Sequence, residues 1–210
     1  MGMLFGITQG RSLVASAELG VADALANGPL EVGALAAAVQ VNAGYLFRLM
    51  RALESIGVFQ QVSPGVFANT PLSDCLRSDA PGSQRAFARL FAPGMGLWDG
   101  YGELLDSVRT GRTTLFDKWG YDFWENLRRD GTKAEIFNES MRSMTASMTP
   151  AVTGGYDWSR FATVADIAGG IGTQLVDILN RFPECSGVLF DQPEVVAAAI
   201  PHERMRVVGG

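Results

Sequence analysis

Residues 164–172 read Val-Ala-Asp-Ile-Ala-Gly-Gly-Ile-Gly, and this stretch decides the fold of the C-terminal part of the chain. The apolar run over 162–168 has the length and composition of a short buried strand. After the glycines, Leu175, Ile178 and Leu179 recur at helical spacing. The stretch therefore predicts a strand, a glycine-rich turn and an amphipathic helix.

The residues that follow continue the alternation of strands and helices. Val188–Phe190 is a second buried-type strand that ends at Asp191, Pro193–Ala199 is a second helix, and Met205–Val208 begins a third strand. Such alternation is typical of a parallel, doubly wound sheet. We expect the open edge of this sheet to expose apolar residues, namely Val164, Ile167, Val188 and Leu189.

The turn and Asp191 together indicate a nucleoside ligand. Glycines allow a sharp turn and a close approach of the backbone to a ligand, and a carboxylate at the end of the next strand can accept hydrogen bonds from both ribose hydroxyls. Gly169, Gly170 and Gly172 lack the G-x-G-x-x-G spacing of a dinucleotide site. From these residues alone the nucleoside stays open, as does the alternative that the turn only connects a strand to a helix.

The N-terminal part of the chain has the pattern of a winged helix. Short helices separated by glycine and proline include Glu31–Ala38 and a helix that Asn42 caps and Gly57 ends. Val58–Val62 and Val66–Ala68 then predict a small hairpin. The middle of the chain is helical.

Composition and charge exclude several classes of protein. The chain has 210 residues, 47% of them hydrophobic, and a formal net charge of −5, which argues against a protein that mainly neutralises phosphates. No apolar run is long enough to span a bilayer. Cys75 and Cys185 lie far apart without a C-x-x-C pattern or a nearby histidine, so we expect neither disulfides nor a metal site, and a cytoplasmic location.

Four segments carry a family resemblance. Residues 165–172 match a V-D-V-G-G-G-x-G motif except that Ala168 replaces the first glycine, and residues 189–195 resemble F-D-L-P-x-V with Gln192 as the departure. Residues 120–125 and 137–141 resemble G-x-x-F-W-E and F-N-x-x-M. The chain thus resembles the S-adenosylmethionine-dependent small-molecule O-methyltransferases of plant and bacterial secondary metabolism.

The resemblance covers the whole chain and implies three parts. These are a mainly α winged-helix dimerisation domain over 1–100, a helical linker lining the substrate pocket over 101–155, and the N-terminal part of an α/β Rossmann-like domain that binds S-adenosylmethionine over 156–210. The implied cofactor-binding residues are Thr145, Ala168, Gly169, Gly170, Gly172 and Asp191. The implied walls of the pocket for an aromatic substrate are Phe123, Trp124, Phe137 and Met141. At the level of the residues alone, the helical spacing of Phe137 and Met141 fits an ordinary core as well.

No catalytic residue can be assigned. The family's base is a histidine in an H-x-W-D-like segment, which the single histidine, His202, does not match between Pro201 and Glu203. Residues 204–210 resemble R-V-x-V-x-G-G-D-F only as far as its two glycines. We therefore expect a truncated form of the methyltransferase that does not catalyse methyl transfer by itself.

Three functions follow as hypotheses. The first is an O-methyltransferase that acts on an aromatic hydroxyl of a small molecule, the second a truncated, non-catalytic dimerising homologue, and the third a winged-helix DNA-binding regulator. Residues 1–80 carry more acidic than basic residues, and the candidate recognition helix offers only Arg48 and Arg51, which disfavours nucleic acid as a partner.

The leading segment predicts a homodimer formed through the N-terminal domain. Apolar side chains near the start of the chain have little of their own chain to cover them, and buried apolar surface drives association. They are Leu4, Phe5, Ile7, Leu13, Val14 and Leu19.

Overall fold

The computed structural model describes residues 2–210. The chain divides into two compact units, Met1–Met141 and Arg142–Gly210, and the boundary falls inside one long helix. The predicted division at residues 100 and 155 is drawn by resemblance and stays a prediction.

The first unit is mainly helical and contains a small antiparallel sheet. Its elements are α1 (Gly2–Leu19), α2 (Val21–Ala24), β1 (Leu30–Glu31), α3 (Val32–Ala38), α4 (Ala43–Glu54), β2 (Phe59–Ser63), β3 (Val66–Asn69), α5 (Pro71–Asp74), α6 (Arg85–Arg89), α7 (Leu97–Gly102), α8 (Leu104–Thr110), α9 (Thr114–Trp119), α10 (Phe123–Arg129) and the first part of α11 (Gly131–Gly155). The strand order is β1-β3-β2, with every pair antiparallel.

Side-chain caps fix the first residues of α3 and α4, the two helices that precede the hairpin. The carboxylate of Glu31 accepts a hydrogen bond from the amide of Gly33, at 2.7 Å, and the amide oxygen of Asn42 accepts one from the amide of Tyr45, at 3.1 Å. The predicted helices and hairpin are confirmed to within a few residues, and β1 adds a third strand that the sequence did not indicate. The winged-helix assignment itself stays a prediction.

Two apolar clusters form the core of this unit. The first joins α1–α4 to the sheet and contains the fully buried Leu35, Met50 and Phe67. The second packs Val14 of α1 against residues that include Leu127 and Ile136. The expectation that Val14 is uncovered is therefore wrong, because it lies on the inner face of α1. Leu13 and Leu19 likewise pack against the first cluster.

The second unit is a parallel three-stranded sheet with helices packed on it. It comprises the end of α11, a 3₁₀ turn (Trp158–Arg160), β4 (Thr163–Ile167), α12 (Thr173–Arg181), β5 (Ser186–Asp191), α13 (Pro193–Val196) and β6 (Met205–Gly209). The order β4-β5-β6 and the parallel pairing confirm that the sheet is parallel. The doubly wound topology stays a prediction. Its core contains Leu175, Leu179, Cys185 and Leu189.

Two details of this unit differ from the sequence predictions. The helix predicted over Pro193–Ala199 ends at Val196. Leu189, expected at the exposed edge, is fully buried, because β5 is the central strand and its side chain meets the helix α12. Val164 and Val188 are half-buried, whereas Ile167 on β4 is 68% exposed, as expected of an edge strand.

No single helix within residues 2–210 is both long and apolar enough to cross a bilayer. Only α3 and α4 taken as a pair meet the criteria of length and composition, with a bend of 107° between them.

Candidate functional site

The glycine-rich turn lies at the carboxyl end of β4 and is attached to the end of β5. The amides of Ala168 and Gly169 both donate to the carbonyl oxygen of Phe190, at 2.8 and 3.3 Å. The amide of Gly172 donates to the carbonyl oxygen of Gly169, at 3.0 Å, and α12 begins at the next residue. The turn is therefore held by backbone bonds on its strand side.

The glycines of this turn are required for different reasons. A side chain at Gly169 would meet the carboxylate of Asp166 at 2.5 Å and Leu189 at 2.7 Å, so this position needs the absence of a Cβ. Gly170 has φ +62°, and a Cβ there would face open space. Gly172 also has positive φ, at +86°. The open side of the turn is thus at Gly170, where a ligand can approach the backbone.

Asp191 lies directly beside the turn, as the sequence predicts. Its Oδ2 accepts a hydrogen bond from the amide of Gly170, at 2.7 Å, and its Oδ1 accepts one from the amide of Gln192, at 2.7 Å. Each carboxylate oxygen has more than one acceptor site, so both oxygens retain capacity for a ligand hydroxyl. Asp191 therefore supports the turn and remains able to bind a diol.

The pattern of amide donors disfavours a phosphate ligand. A phosphate-binding turn presents unpaired backbone N–H groups to the anion. Here the amides of Ala168, Gly169, Gly170 and Gly172 already have acceptors within the protein, and one of these acceptors is the carboxylate of Asp191. A negative charge at the mouth of the turn repels phosphate, which agrees with the sequence argument against a dinucleotide.

Asp166 is a second carboxylate at this edge of the sheet, and the predicted site does not include it. Burial, and then the negative charge of Asp191, raise the pKa of Asp166 above its ordinary value. Its position at the end of β4 is the signal in the sequence that could have identified it, because the carboxyl ends of parallel strands meet at one edge.

Thr145 lies on the part of α11 that belongs to the second unit. It is half-buried, and its carbonyl oxygen lies 2.8 Å from the hydroxyl of Thr149. Thr149 in turn contacts Gln174 in the first turn of α12, at 3.0 Å. A chain of hydrogen bonds therefore connects the segment that carries Thr145 to the helix that follows the glycine-rich turn.

The predicted substrate residues lie in the first unit, where the aromatic ones form a cluster. Phe123, Trp124 and Phe137 contact one another edge to face, with ring centroids 5.2 to 5.6 Å apart. Trp124 is 56% exposed, whereas Phe123, Phe137 and Met141 pack against the core. The cluster thus has an apolar base and one accessible aromatic side chain.

His202 lies in the loop before β6. Its Nδ1 accepts a hydrogen bond from the backbone amide of Arg204, at 3.2 Å, which is consistent with a loop residue. Over residues 2–210, no three or more His, Cys, Asp or Glu side chains are arranged to hold a metal ion.

Two protein-family models match this chain, one in its N-terminal part and one in its C-terminal part. A family model described as an O-methyltransferase domain matches residues 101–210, and one described as an O-methyltransferase dimerisation domain matches residues 1–79. The chain is 38% identical over 197 residues to the phenazine O-methyltransferase PhzM of Lysobacter antibioticus. That match covers 94% of this chain and 57% of PhzM.

Solved structures show the same similarity. CalO1, a methyltransferase of calicheamicin biosynthesis determined with SAH bound, has a TM-score of 0.85 and 31% identity, covering 100% of this chain and 64% of CalO1. NcsB1, an O-methyltransferase of neocarzinostatin biosynthesis determined with S-adenosylmethionine and 2-hydroxy-5-methyl naphthoic acid, has a TM-score of 0.75 and 29% identity, covering 96% and 64% of the two chains. The 210 residues thus span somewhat more than half the length of such relatives.

Proposed function

The chain belongs to the O-methyltransferase family, and we propose that its second unit binds S-adenosylmethionine for methylation of an aromatic hydroxyl on a small molecule. The observation that carries this proposal is the turn at residues 168–172, which is open at Gly170 and carries Asp191 beside it, and in which the amides of the three glycines and Ala168 are paired within the protein. Such a turn suits a nucleoside without phosphates.

The residues of the turn fit this cofactor. Asp191 would accept hydrogen bonds from the ribose hydroxyls, and Ala168, Gly169, Gly170 and Gly172 would line the nucleoside along the open side of the turn. Thr145 would reach the methionine end. When bound, S-adenosylmethionine supplies an electrophilic methyl group on a sulfonium.

The aromatic cluster of the first unit suits the acceptor. Phe123, Trp124, Phe137 and Met141 would bind a flat ring through apolar and edge-to-face contacts. NcsB1 was determined with a naphthoic acid, which supports an aromatic substrate for this chain as well. These side chains orient the hydroxyl, and correct placement alone can supply a large part of the rate of a methyl transfer.

The exposed start of α1 supports a homodimer through the first unit. Leu4, Phe5 and Ile7 lie on the surface, with Phe5 60% exposed. An apolar groove of about 320 Å³ runs beside them between α1 and α6 and includes Phe91 and Trp98 in its lining. An exposed apolar helix face next to an apolar groove can form a self-complementary interface with a second copy of the chain.

Light scattering tests this interface. We expect Phe5→Glu to convert a dimer into a monomer at micromolar concentration, because a charge would be buried in the apolar contact. Val108→Glu, at an apolar position on α8 that is also largely exposed, is the matched control and should leave the dimer intact. A parent chain that is monomeric, or equal behaviour of the two variants, would contradict the proposed interface.

Calorimetric titration with S-adenosylmethionine tests the cofactor site. We expect the parent chain to bind, and Gly170→Val to abolish binding, because its side chain would occupy the open space where the nucleoside approaches. Gly111→Val is the control, since Gly111 has a similar φ of +69° with open space beside it and is no part of the candidate site. Binding by Gly170→Val with parental affinity would show that the turn is only structural.

Turnover is a separate measurement. An assay with labelled S-adenosylmethionine and a panel of catechols and phenols tests whether the 210 residues catalyse methyl transfer. We do not expect turnover by these residues alone, because none of them is assigned as the catalytic base.

A further inference from the structure

The side-chain amide of Gln174 links α12 to α11 at two points. Its Nε2 donates a hydrogen bond to the hydroxyl oxygen of Thr153, at 3.0 Å, and its Oε1 lies 3.0 Å from the hydroxyl of Thr149. The two threonines are four residues apart, so they share one face of α11. Both are buried, with exposed fractions of 8% for Thr149 and 2% for Thr153. Both functional groups of the amide are therefore used inside the protein.

Gln174 lies where the glycine-rich turn becomes a helix. Gly172 precedes α12 with left-handed backbone angles, and Gln174 is the second residue of that helix. On its strand side the turn is attached to β5 by the amides of Ala168 and Gly169. The bonds of Gln174 attach the turn's helical side to α11. The turn is thereby held at both ends by hydrogen bonds within the protein.

On α11 the two contacts lie on either side of a proline. Pro150 is inside the helix and has no N–H group, so the usual hydrogen bond to the carbonyl oxygen of Ala146 cannot form. A helix interrupted in this way is less fixed in direction at that point. Because Thr149 precedes the proline and Thr153 follows it, one glutamine holds both sides of the interruption.

The same contacts reach the segment of the helix that carries Thr145. The hydroxyl of Thr149 lies 2.8 Å from the carbonyl oxygen of Thr145, one turn earlier, and shares its proton between this oxygen and Gln174. We propose that Gln174 is a positioning residue, which holds the Thr145 segment of α11 at the start of α12 so that the methionine end of S-adenosylmethionine is bound. This inference rests on the function proposed above.

The affinities for two ligands distinguish this positioning role from a general effect on folding. S-adenosylmethionine and methylthioadenosine share the nucleoside and differ in the amino-acid chain. Gln174→Met keeps a similar side-chain length but has no hydrogen-bonding groups. We expect it to raise the Kd for S-adenosylmethionine on the order of tenfold, because the Thr145 segment is no longer held in place and a small misplacement of a binding group can weaken binding this much. The Kd for methylthioadenosine should change by less than about twofold, because Asp191 and the glycines are untouched.

A conservative variant provides the rescue. The carboxylate of Gln174→Glu can accept hydrogen bonds from the hydroxyls of both threonines, which are free to rotate, and a negative charge is favourable in the first turn of a helix. This variant should therefore restore most of the affinity for S-adenosylmethionine. Asn180→Ala, at an exposed position on the same helix, is the control and should bind both ligands as the parent does.

The outcomes distinguish the inference from the proposed function. Selective loss of S-adenosylmethionine in Gln174→Met, with rescue by Gln174→Glu, supports the positioning role. Equal weakening of both ligands, or no change, overturns it while leaving the proposed cofactor site standing. Failure of the parent to bind S-adenosylmethionine refutes both. If Gln174→Met does not fold, Thr153→Val, which removes one bond at nearly constant volume, decides by the same two affinities.

Discussion

Replacing Gly169 or its neighbour Gly170 by alanine should lower the stability of the second unit by different amounts. A Cβ at Gly169 would lie 2.5 Å from Cγ and 2.6 Å from Oδ2 of Asp166, and 2.7 Å from Cδ1 of Leu189. Leu189 is fully buried on the central strand β5 and cannot move away without disturbing the core. At Gly170 the corresponding Cβ meets nothing within 4 Å, and only its positive φ opposes a side chain.

The expected magnitudes follow from these two environments. Overpacking of a buried site by a methyl group costs about 1–3 kcal/mol, and three contacts below 3.0 Å put the steric cost at Gly169 toward the upper end. After the entropic offset of about 0.4–1 kcal/mol that any Gly→Ala substitution brings, Gly169→Ala should cost about 2 kcal/mol. A left-handed alanine costs about 1–2 kcal/mol, partly offset by the lower entropy of the unfolded chain, which contributes about 0.4–1 kcal/mol. Gly170→Ala should therefore cost about 1 kcal/mol.

Amide hydrogen exchange of the peptide 186–191 measures the effect locally. This peptide contains β5, whose amides are protected by pairing with both neighbouring strands. Exchange in β5 should accelerate much more in Gly169→Ala than in Gly170→Ala, and a local measurement avoids the assumption that a chain of two units unfolds in one step. Equal acceleration in the two variants, or a larger effect at Gly170, would refute the argument that Gly169 is required for space.

Two further predictions concern charged residues of the second unit. Because burial and the charge of Asp191 raise the pKa of Asp166 above 3.8, the folded chain holds that proton more tightly than the unfolded chain, and stability falls as the pH rises from 3.8 through the raised pKa. Asp166→Asn should therefore be more stable than the parent at neutral pH and lose this advantage below pH 3.8 in denaturation experiments, whereas a constant difference would contradict the assignment. Arg204 donates to three carbonyl oxygens at the end of α12 and in the loop after it, so Arg204→Met should cost about 2–4 kcal/mol by urea denaturation. Arg206→Met, at an exposed position two residues later on β6, should cost less than about 0.5 kcal/mol, and equal losses would show that the carbonyl contacts contribute little.

The sequence predicts those parts of the fold that depend on local pattern. The strand, turn and helix around residues 164–172 follow from glycines and apolar periodicity, and the cap at Asn42 follows from the preference of that side chain for the start of a helix. The strand β1 has only two residues, which is too short to have a pattern. The burial of Leu189 depends on the order of strands in the sheet, which a single strand does not encode.

The candidate site shows the same limit. Asp191 could be predicted because strand, turn and acidic residue stand in order along the chain, and the structure places its carboxylate on Gly170. Gln174 could not, because its partners Thr149 and Thr153 are more than twenty residues away and have no motif in common with it. Interactions between side chains distant in sequence are set by packing, and the pattern of a single sequence does not reveal them.

The alanine at position 168 can be explained by comparing the backbone conformation and the surroundings of this position with those of Gly169 and Gly170. Ala168 replaces the first glycine of the resembled motif, yet it keeps a left-handed φ of +59° and its side chain is exposed. Alanine pays about 1–2 kcal/mol for that conformation, and the hydrogen bond from its amide to Phe190 helps to hold it. The first glycine position therefore requires a backbone conformation that alanine can still adopt, whereas Gly169 is required for internal space and Gly170 leaves the open space through which we propose that the nucleoside approaches. Alanine is therefore tolerated at position 168, where its side chain is exposed and only the left-handed backbone conformation opposes it.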